Sequence, residues 1–504
     1  MDILVNLGAG FLEVFQPMNM LAMLIGLVLG MLVAVLPGLT LVMGVVLALP
    51  FTYGMGLLPA IILLTAMYVS GTYGGAFTAI LFRIPGEPID VPLLWDGYTM
   101  ARNGQPAKAL GWTLFAALGG GLLSASVMVF LSHPVAKFAL TLSSPEYFAI
   151  LLFGMTSVVS LGGGSITNAF ISLFLGLLLS TVGVDSIYGT ERFAFGVPFL
   201  QDGIEYLLVM VGAYGLGEVF TRLAKGFPSD EIAAEKHGKI ATEFPTLAEV
   251  APVKGTFLRS SILGIIIGII PGAGATIASF VAYGAESQYG KRRKQMGSGI
   301  AEGIVAPQTA ATASVGGALI PLLTMGIPGS GATAIILGAF LLHGIQPGPQ
   351  IFVSSGPMVY AIFASLFVSI IGMCILGYFA IKPLVKVLGM PNPVVSAFVV
   401  MFCFIGAFAA RNNLSDLYVI TAFGILGYLF EKFKFPIAPL VLGSILGPSA
   451  ESAFMTMMVS ENNNWTVLIA RPVSATVMAM AVIALAYPIV RQLRERRAAV
   501  AEKS

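Results

Sequence analysis

The chain has 504 residues, 57% of them hydrophobic and only 10% charged, with a formal net charge of +2. A soluble domain carries about 25% charged residues, so this chain cannot clothe a globule in polar surface and needs lipid as its solvent. The net charge says nothing of partners, and no basic patch with interleaved aromatics points to nucleic acid; an all-α polytopic membrane protein is the class to expect.

Crossing a hydrocarbon core takes roughly 20 apolar helical residues. In chain order, residues 18–50 form an apolar stretch broken at Pro37-Gly38, and 59–100 one broken at Gly74-Gly75 and again at Pro85-Gly86. Unbroken apolar runs follow at 109–131, 146–161, 165–183 and 204–221, then a polar stretch of about Thr221–Thr256 that carries Pro228, Pro245 and Pro252. Beyond it, 260–285 is broken at Pro271-Gly272 and 298–342 at Gly316-Gly317 and Pro328-Gly329. Runs at 359–381, 394–410, 414–430 and 466–490 complete the chain, with a shorter, interrupted stretch at 435–458. The pattern predicts roughly 10 to 14 membrane segments.

The breaks recur at near-constant offsets. Pro37 and Pro271 are 234 residues apart, as are Gly30 and Gly264; Gly74-Gly75 and Gly316-Gly317 are 242 apart, and Pro85-Gly86 and Pro328-Gly329 are 243 apart. Paired interruptions in corresponding halves mark the midplane binding site of duplicated transporters. The chain is therefore divided into a first repeat (1–221), a cytoplasmic linker (222–259), a second repeat with one extra crossing near its end (260–490), and a basic tail (491–504).

Lys and Arg collect in cytoplasmic loops. Residues 1–82 and 295–381 contain neither, whereas Lys291-Arg292-Arg293-Lys294, Lys382/Lys386 and Arg491–Arg497 are basic. The loop after the first break (Pro50–Pro59) is uncharged but its counterpart reads Lys-Arg-Arg-Lys; the loop after Pro85-Gly86 is basic but its counterpart, His343–Pro357, is not. Equivalent loops on opposite sides make the repeats inverted. The Pro37-Gly38 and Pro271-Gly272 segments then read as re-entrant hairpins from opposite faces, with the N-terminus periplasmic and the C-terminus cytoplasmic. The start lacks the charged n-region of a secretory signal, so the N-terminus is expected to stay on the mature chain.

At a Pro-Gly break the following helix offers free N–H groups and a positive dipole end, and the preceding helix offers free carbonyls. An anion and a cation such as sodium find ligands at one point. Small hydroxyl residues gather there: Thr40, Thr78, Thr276, Thr312, Ser314 and Ser330. With Pro37, Gly38, Gly74, Gly75, Pro85, Gly86, Pro271, Gly272, Gly274, Gly316, Gly317, Pro328 and Gly329 they form the expected substrate or ion site, the alternative being ordinary helix packing, which also enriches small residues. Arg83, Glu87 and Asp90 surround Pro85-Gly86. Arg83 has the planar fork that clamps a carboxylate; alternatively, the three charges pair with one another. Gly26/Gly30 and Gly264/Gly268 read as close helix packing.

Cys374 and Cys403 fall inside apolar runs and read as packing residues. His133, His237 and His343 form no spacing motif, and Gly162-Gly163-Gly164 is not followed by a phosphate-loop pattern. With no nucleophile, base or metal-ligand constellation, no enzyme and no cofactor are expected. An anion channel remains as an alternative reading.

The run Gly74-Gly75, Ile80-Leu81, Ile84-Pro85-Gly86, Asp96-Gly97-Tyr98, Gly104 and Ala109-Leu110-Gly111 resembles the large permease subunit of tripartite tricarboxylate transporters. So do Pro37-Gly38-Leu39, Gly316-Gly317-Ala318, Ile327-Pro328-Gly329-Ser330 and His343-Gly344-Ile345-Gln346-Pro347-Gly348-Pro349, and the likeness covers nearly the whole chain. The resemblance implies a bacterial inner-membrane secondary carrier that works with a small four-helix membrane subunit and a periplasmic solute-binding protein, importing a carboxylate on a sodium or proton gradient. A stand-alone carboxylate carrier without a binding protein is the other form that reading takes. Two departures stand out. The family commonly has small and hydroxyl residues after the first-repeat Pro-Gly, where this chain has Glu87-Pro88-Ile89-Asp90-Val91-Pro92. It commonly has a Glu and an Asn pair where this chain has Gln308 and Ala311-Thr312.

Overall fold

A computed structural model describes residues 2–36, 39–161, 165–185, 189–226, 242–380, 383–384 and 392–501. The first half comprises helices α1 (Asp2–Val14), α2 (Pro17–Val35), α3 (Leu41–Ala48), α4 (Leu57–Phe82), α5 (Leu93–Arg102), α6 (Pro106–Ala139), α7 (Ser144–Leu161), α8 (Ile166–Ser180) and α9 (Tyr206–Lys225). The second comprises α10 (Leu247–Ile269), α11 (Gly274–Tyr289), α12 (Ala301–Met325), α13 (Gly331–Leu342), α14 (Gly356–Phe379), α15 (Asn392–Arg411), α16 (Ser415–Lys432), α17 (Ile437–Ser460) and α18 (Pro472–Ala501). Eight helices among the described residues are long and apolar enough to cross a membrane, and six shorter apolar helices accompany them. The protein is an all-α, multi-pass membrane protein.

The succession long, short, long, short, followed by four longer helices, occurs twice, as α2–α9 and as α10–α17. Backbone contacts group the chain into two compact units, Met1–Lys137 with Gly226–Phe402, and Phe138–Lys225 with Cys403–Ser504. Each unit therefore takes one segment from each half of the chain.

In the first unit α4 and α12 are the innermost helices. Every residue from Ala60 to Leu81 and from Glu302 to Thr324 is buried, so both are covered on all sides, as a helix apolar all round must be. Small residues bring α2 against α4 and α10 against α12. A Cβ on Gly30 would lie 2.7 Å from Met67 Cα, and one on Gly264 would lie 2.8 Å from Ala310 Cα. Several hydroxyls of these inner helices bond back to their own turns, as Thr72 does to the Val69 carbonyl (2.8 Å) and Thr324 to that of Ile320 (2.7 Å), which satisfies them without a partner helix, whereas the buried Tyr73 and Thr309 hydroxyls have no partner among the described residues.

In the second unit α8 packs on α17 and α9 on α16, each through a glycine pair. A Cβ on Gly176 would lie 3.1 Å from Gly443 Cα, and one on Gly217 3.0 Å from Gly427 Cα. A two-stranded antiparallel ribbon, β1 (Gly183–Val184) with β2 (Glu191–Arg192), follows α8. Arg192 forks onto Glu451 of α17 with 2.5 and 3.1 Å bonds.

Several expected boundaries move. The linker expected over 222–259 is helical from Leu247, because Thr246 and Glu249 form a capping box there and Pro252 is accommodated inside the first turns; residues 227–241 lie outside the described residues. The stretch 435–458, read as interrupted, is one helix, α17, that carries Pro448 within it. Helix α1 has no counterpart in the sequence reading; its Leu4, Val5 and Leu12 are exposed, and polar residues interrupt its apolar pattern. The tail expected from 491 continues α18 without a break.

Candidate functional site

The first break is built by two chain reversals in the first unit. Helix α2 ends at Val35 with Leu36 as its extended cap, and α3 begins after Thr40, whose Oγ1 accepts from the Met43 N–H (3.2 Å); Pro37 and Gly38 lie outside the described residues. Helix α4 ends at Arg83, which takes the left-handed conformation (φ 58°, ψ 25°) and donates its N–H to the Thr78 carbonyl. The chain then runs through Pro85 to Gly86, where a Cβ would fall on the Ala34 carbonyl oxygen and 2.6 Å from Gly75 Cα. Glu87 and Asp90 close the turn as a capping box, the Glu87 N–H donating to Asp90 Oδ2 (3.0 Å) and the Glu87 side chain accepting in return from the Asp90 N–H. The Glu87 carboxylate also accepts from the Leu41 N–H at the start of α3.

The second break repeats this geometry. Gly272 (φ 81°) donates its N–H to the Gly329 carbonyl (3.1 Å), and Gly274 (φ 62°) opens α11, whose N-terminus no side chain caps. Pro271 is buried. Helix α12 ends in a left-handed Gly326 (φ 71°, ψ 22°). Past Pro328, a Cβ on Gly329 would lie 2.5 Å from the Gly268 carbonyl oxygen and 2.7 Å from Ala318 Cα. Ser330 and Thr333 form the capping box here, with 2.8 and 3.2 Å bonds.

Residue for residue, Arg83, Gly86, Glu87 and Asp90 thus match Gly326, Gly329, Ser330 and Thr333, each 243 positions later. This register corrects one pairing. Gly74 lies against Met31 of α2 as Gly317 lies against Ile265 of α10, so Gly74 corresponds to Gly317, not to Gly316. Gly316 turns to α6, where a Cβ would meet Ser124 Oγ at 2.7 Å; it is a packing glycine away from the break. Adjacent glycines look alike in sequence, and only the 100° step between successive helical residues assigns them to different neighbours.

The two breaks interleave where α4 and α12 meet. Ser330 Oγ donates to the Tyr68 hydroxyl of α4 (3.0 Å), Ser279 Oγ of α11 donates to the Ile89 carbonyl of the first break (2.8 Å), and Gln308 Nε2 of α12 donates to the Thr72 carbonyl (3.1 Å) and to Thr312 Oγ1 (3.2 Å). A Cβ on Gly331 would touch Val42 of α3 at 3.2 Å. Thr78 and Ser314 donate to carbonyls of their own helices, Gly75 (2.9 Å) and Ala311 (2.7 Å), leaving only lone pairs for a ligand. Thr276 is half-buried in the first turn of α11, and Thr40 is exposed.

Arg83 is exposed, with its guanidinium 5.5 Å from the centre of the Tyr98 ring. Among the described residues it makes no ion pair with Glu87 or Asp90; those carboxylates take backbone N–H groups instead. No group of three metal-ligating side chains occurs among the described residues. Tyr68, Ser279 and Asp96 were not singled out as site residues from sequence. Asp96 of α5 is fully buried and accepts from the N–H groups of Gly297 (2.9 Å), Gly299 (2.8 Å) and Ile300 (3.0 Å) and from the Tyr283 hydroxyl (2.9 Å). It fixes the entry to α12 from a helix of the other half; its signal was its place in the Asp96-Gly97-Tyr98 motif.

A family model described as tripartite tricarboxylate transporter TctA family matches residues 20–442. A curated protein of Agrobacterium vitis, described as an uncharacterized 52.8 kDa protein in the TAR-I ttuC' 3' region, is 34% identical over 497 residues, 99% of this chain and 98% of that protein. A second from the same organism, described as an uncharacterized protein in the TAR-II ttuC' 3' region, is 33% identical over 234 residues, 46% of this chain and 97% of that protein. No solved structure matches the chain.

Proposed function

The chain belongs to the tripartite tricarboxylate transporter TctA family, and on that premise we propose that it is the large membrane subunit of a binding-protein-dependent secondary carrier. It imports an organic carboxylate across a bacterial inner membrane, together with a small four-helix membrane subunit and a periplasmic solute-binding protein. The observation that carries this reading is the duplicated break: two Pro-Gly reversals with matching left-handed caps and matching capping boxes, interleaved at the meeting of two fully buried helices. Non-helical backbone at membrane depth is tolerated where it lines a cavity or lies within protein. There it offers N–H groups to an anion and carbonyls to a cation.

The repeats are inverted in this reading, with the basic Lys291–Lys294 loop cytoplasmic and the uncharged Pro50–Pro59 loop periplasmic. The N-terminus is then periplasmic and the C-terminus cytoplasmic. A sodium or proton gradient drives alternating access at the breaks, with the carbonyl ends of α2 and α10 as the places for sodium.

Reconstitution with both partners tests this. Radiolabelled carboxylate should exchange by counterflow and accumulate when a sodium or pH gradient is imposed. Flux that does not saturate and shows no counterflow would identify a channel, and uptake without the binding protein a stand-alone carrier. Cysteines placed at Met55 and at Gln295 should be labelled from the periplasm and the cytoplasm respectively; labelling of both from one side overturns the inverted arrangement.

A further inference from the structure

Each half of the chain holds the entrance to the inner helix of the other half. Asp96 of α5 accepts from the N–H groups of Gly297, Gly299 and Ile300, just ahead of α12. The equivalent approach to α4 is the 3₁₀ turn Leu49–Gly54 with Met55 and Gly56, and α13 packs on it. Ala339 of α13, 243 positions after Asp96, has no polar side chain to do the same. His343, one turn further on, takes that part. Its Nε2 lies 3.2 Å from the Met55 carbonyl oxygen, and its Nδ1 lies 2.8 Å from the Ala339 carbonyl oxygen.

Both ring nitrogens therefore face groups that only accept. A neutral imidazole has one N–H and one lone pair, whereas the imidazolium has two N–H groups. Only the imidazolium donates to both carbonyls; in the neutral ring either tautomer sets a lone pair against a carbonyl oxygen. The shorter bond, within α13, holds the neutral ring's proton on Nδ1, so the bond lost is the one that crosses to Met55. The elements packed on α13 are α3, α4, α12 and the Leu49–Gly54 turn. From Thr40 to Phe82, and from Met325 to Tyr360, the chain has no Asp, Glu, Lys or Arg. The titratable groups of those elements are Tyr53, which is exposed, Tyr68, bonded to Ser330, the buried Tyr73, and Glu302, which lies at the far end of α12 and pairs with Arg292. A proton on His343 thus answers to the two carbonyls, and the half-buried ring can take it from water.

We propose that His343 is a proton-operated latch: protonated, it ties the end of α13 to the turn that opens α4, and deprotonated, it releases Met55. Histidine changes charge between about pH 5 and 8, so the latch closes on acidification of the face that carries the Leu49–Gly54 turn. The release bears on the second break, because a Cβ on Gly326, the left-handed cap of α12, would lie 2.7 Å from the Pro347 carbonyl oxygen in the loop that His343 begins. His343 is a positioning residue, acting on the approach to the breaks and not on cargo.

Spin labels on cysteines at Tyr53 and Gln346, both exposed, test this in the purified full-length protein without substrate or gradient; Cys374 and Cys403 are buried. In the wild type, pulsed distance measurements should show the ratio of the short-distance to the longer-distance population falling about tenfold from about pH 5.5 to about pH 8, the scale of one charge-assisted hydrogen bond lost. His343→Gln should make the ratio independent of pH, and His343→Lys, charged throughout, should hold it near the wild-type acid value. The double change His133→Gln with His237→Gln leaves His343 as the one histidine and should keep the full response, which preserves the test if the His343 variants do not fold. A wild-type ratio that does not change with pH, a response that persists in His343→Gln, or one that vanishes in the double variant overturns the latch. None of these outcomes touches the carrier reading, since no transport is measured.

Discussion

Gly329→Ala tests whether the break is held by direct backbone-to-backbone contact. The added Cβ would lie 2.5 Å from the Gly268 carbonyl oxygen and 2.7 Å from Ala318 Cα, about 1 Å closer than the ~3.5 Å at which such atoms rest comfortably. Neither neighbour is a flexible side-chain end that can swing aside, so α10 must move from α12 or the turn must open. Over-packing of this kind costs about 1–3 kcal/mol. Gly86→Ala meets the Ala34 carbonyl and Gly75 Cα in the same way and should cost a similar amount. Gly284→Ala, in α11 with no atom within 4 Å, is the control; a helical Gly→Ala change there should stabilise by about 0.5–1 kcal/mol. Cys374 and Cys403 are buried, so a thiol-reactive fluorophore reports unfolding of the detergent-purified protein. The two break variants should unfold at lower temperature than the wild type, with reduced carboxylate uptake, and the control should not. Wild-type stability and uptake in Gly329→Ala would refute the claim that the break is fixed by contact at this glycine.

Asp96→Asn removes the charge and turns an NH2 group toward backbone donors; with hydrogen bonds to a charged group worth about 1.5–3 kcal/mol each, a loss of about 2–4 kcal/mol should appear in the same unfolding measurement, and Tyr283→Phe should cost less than half of it. Tyr68→Phe removes the acceptor of Ser330 Oγ and should lower uptake more than it lowers the unfolding temperature; equal effects on both would make the bond merely structural. Arg83→Gly suits the left-handed backbone that arginine strains to adopt and should raise the unfolding temperature by an amount equivalent to about 1 kcal/mol.

Composition and periodicity sufficed for the membrane class, because a chain with so few charges has no soluble alternative. The duplication was equally legible, since Pro-Gly interrupts a helix whatever surrounds it. Chain order alone placed the breaks, and the charge pattern suggested their opposite entry. What the sequence left open was phase and partnership. Gly316 and Gly317 are indistinguishable as letters, yet one faces α6 and the other α10. Arg83, Glu87 and Asp90 are close enough in sequence to pair, but a left-handed residue at the end of α4 carries the guanidinium out to Tyr98 while the capping box holds the carboxylates against the starts of α3 and of their own turn. Asp96 and Tyr68 reach across some two hundred residues or more to find their partners. Local chemistry fixes where a helix stops; which groups then meet depends on helix phase and on the packing of segments far apart in the chain, and only the assembled tertiary structure decides that.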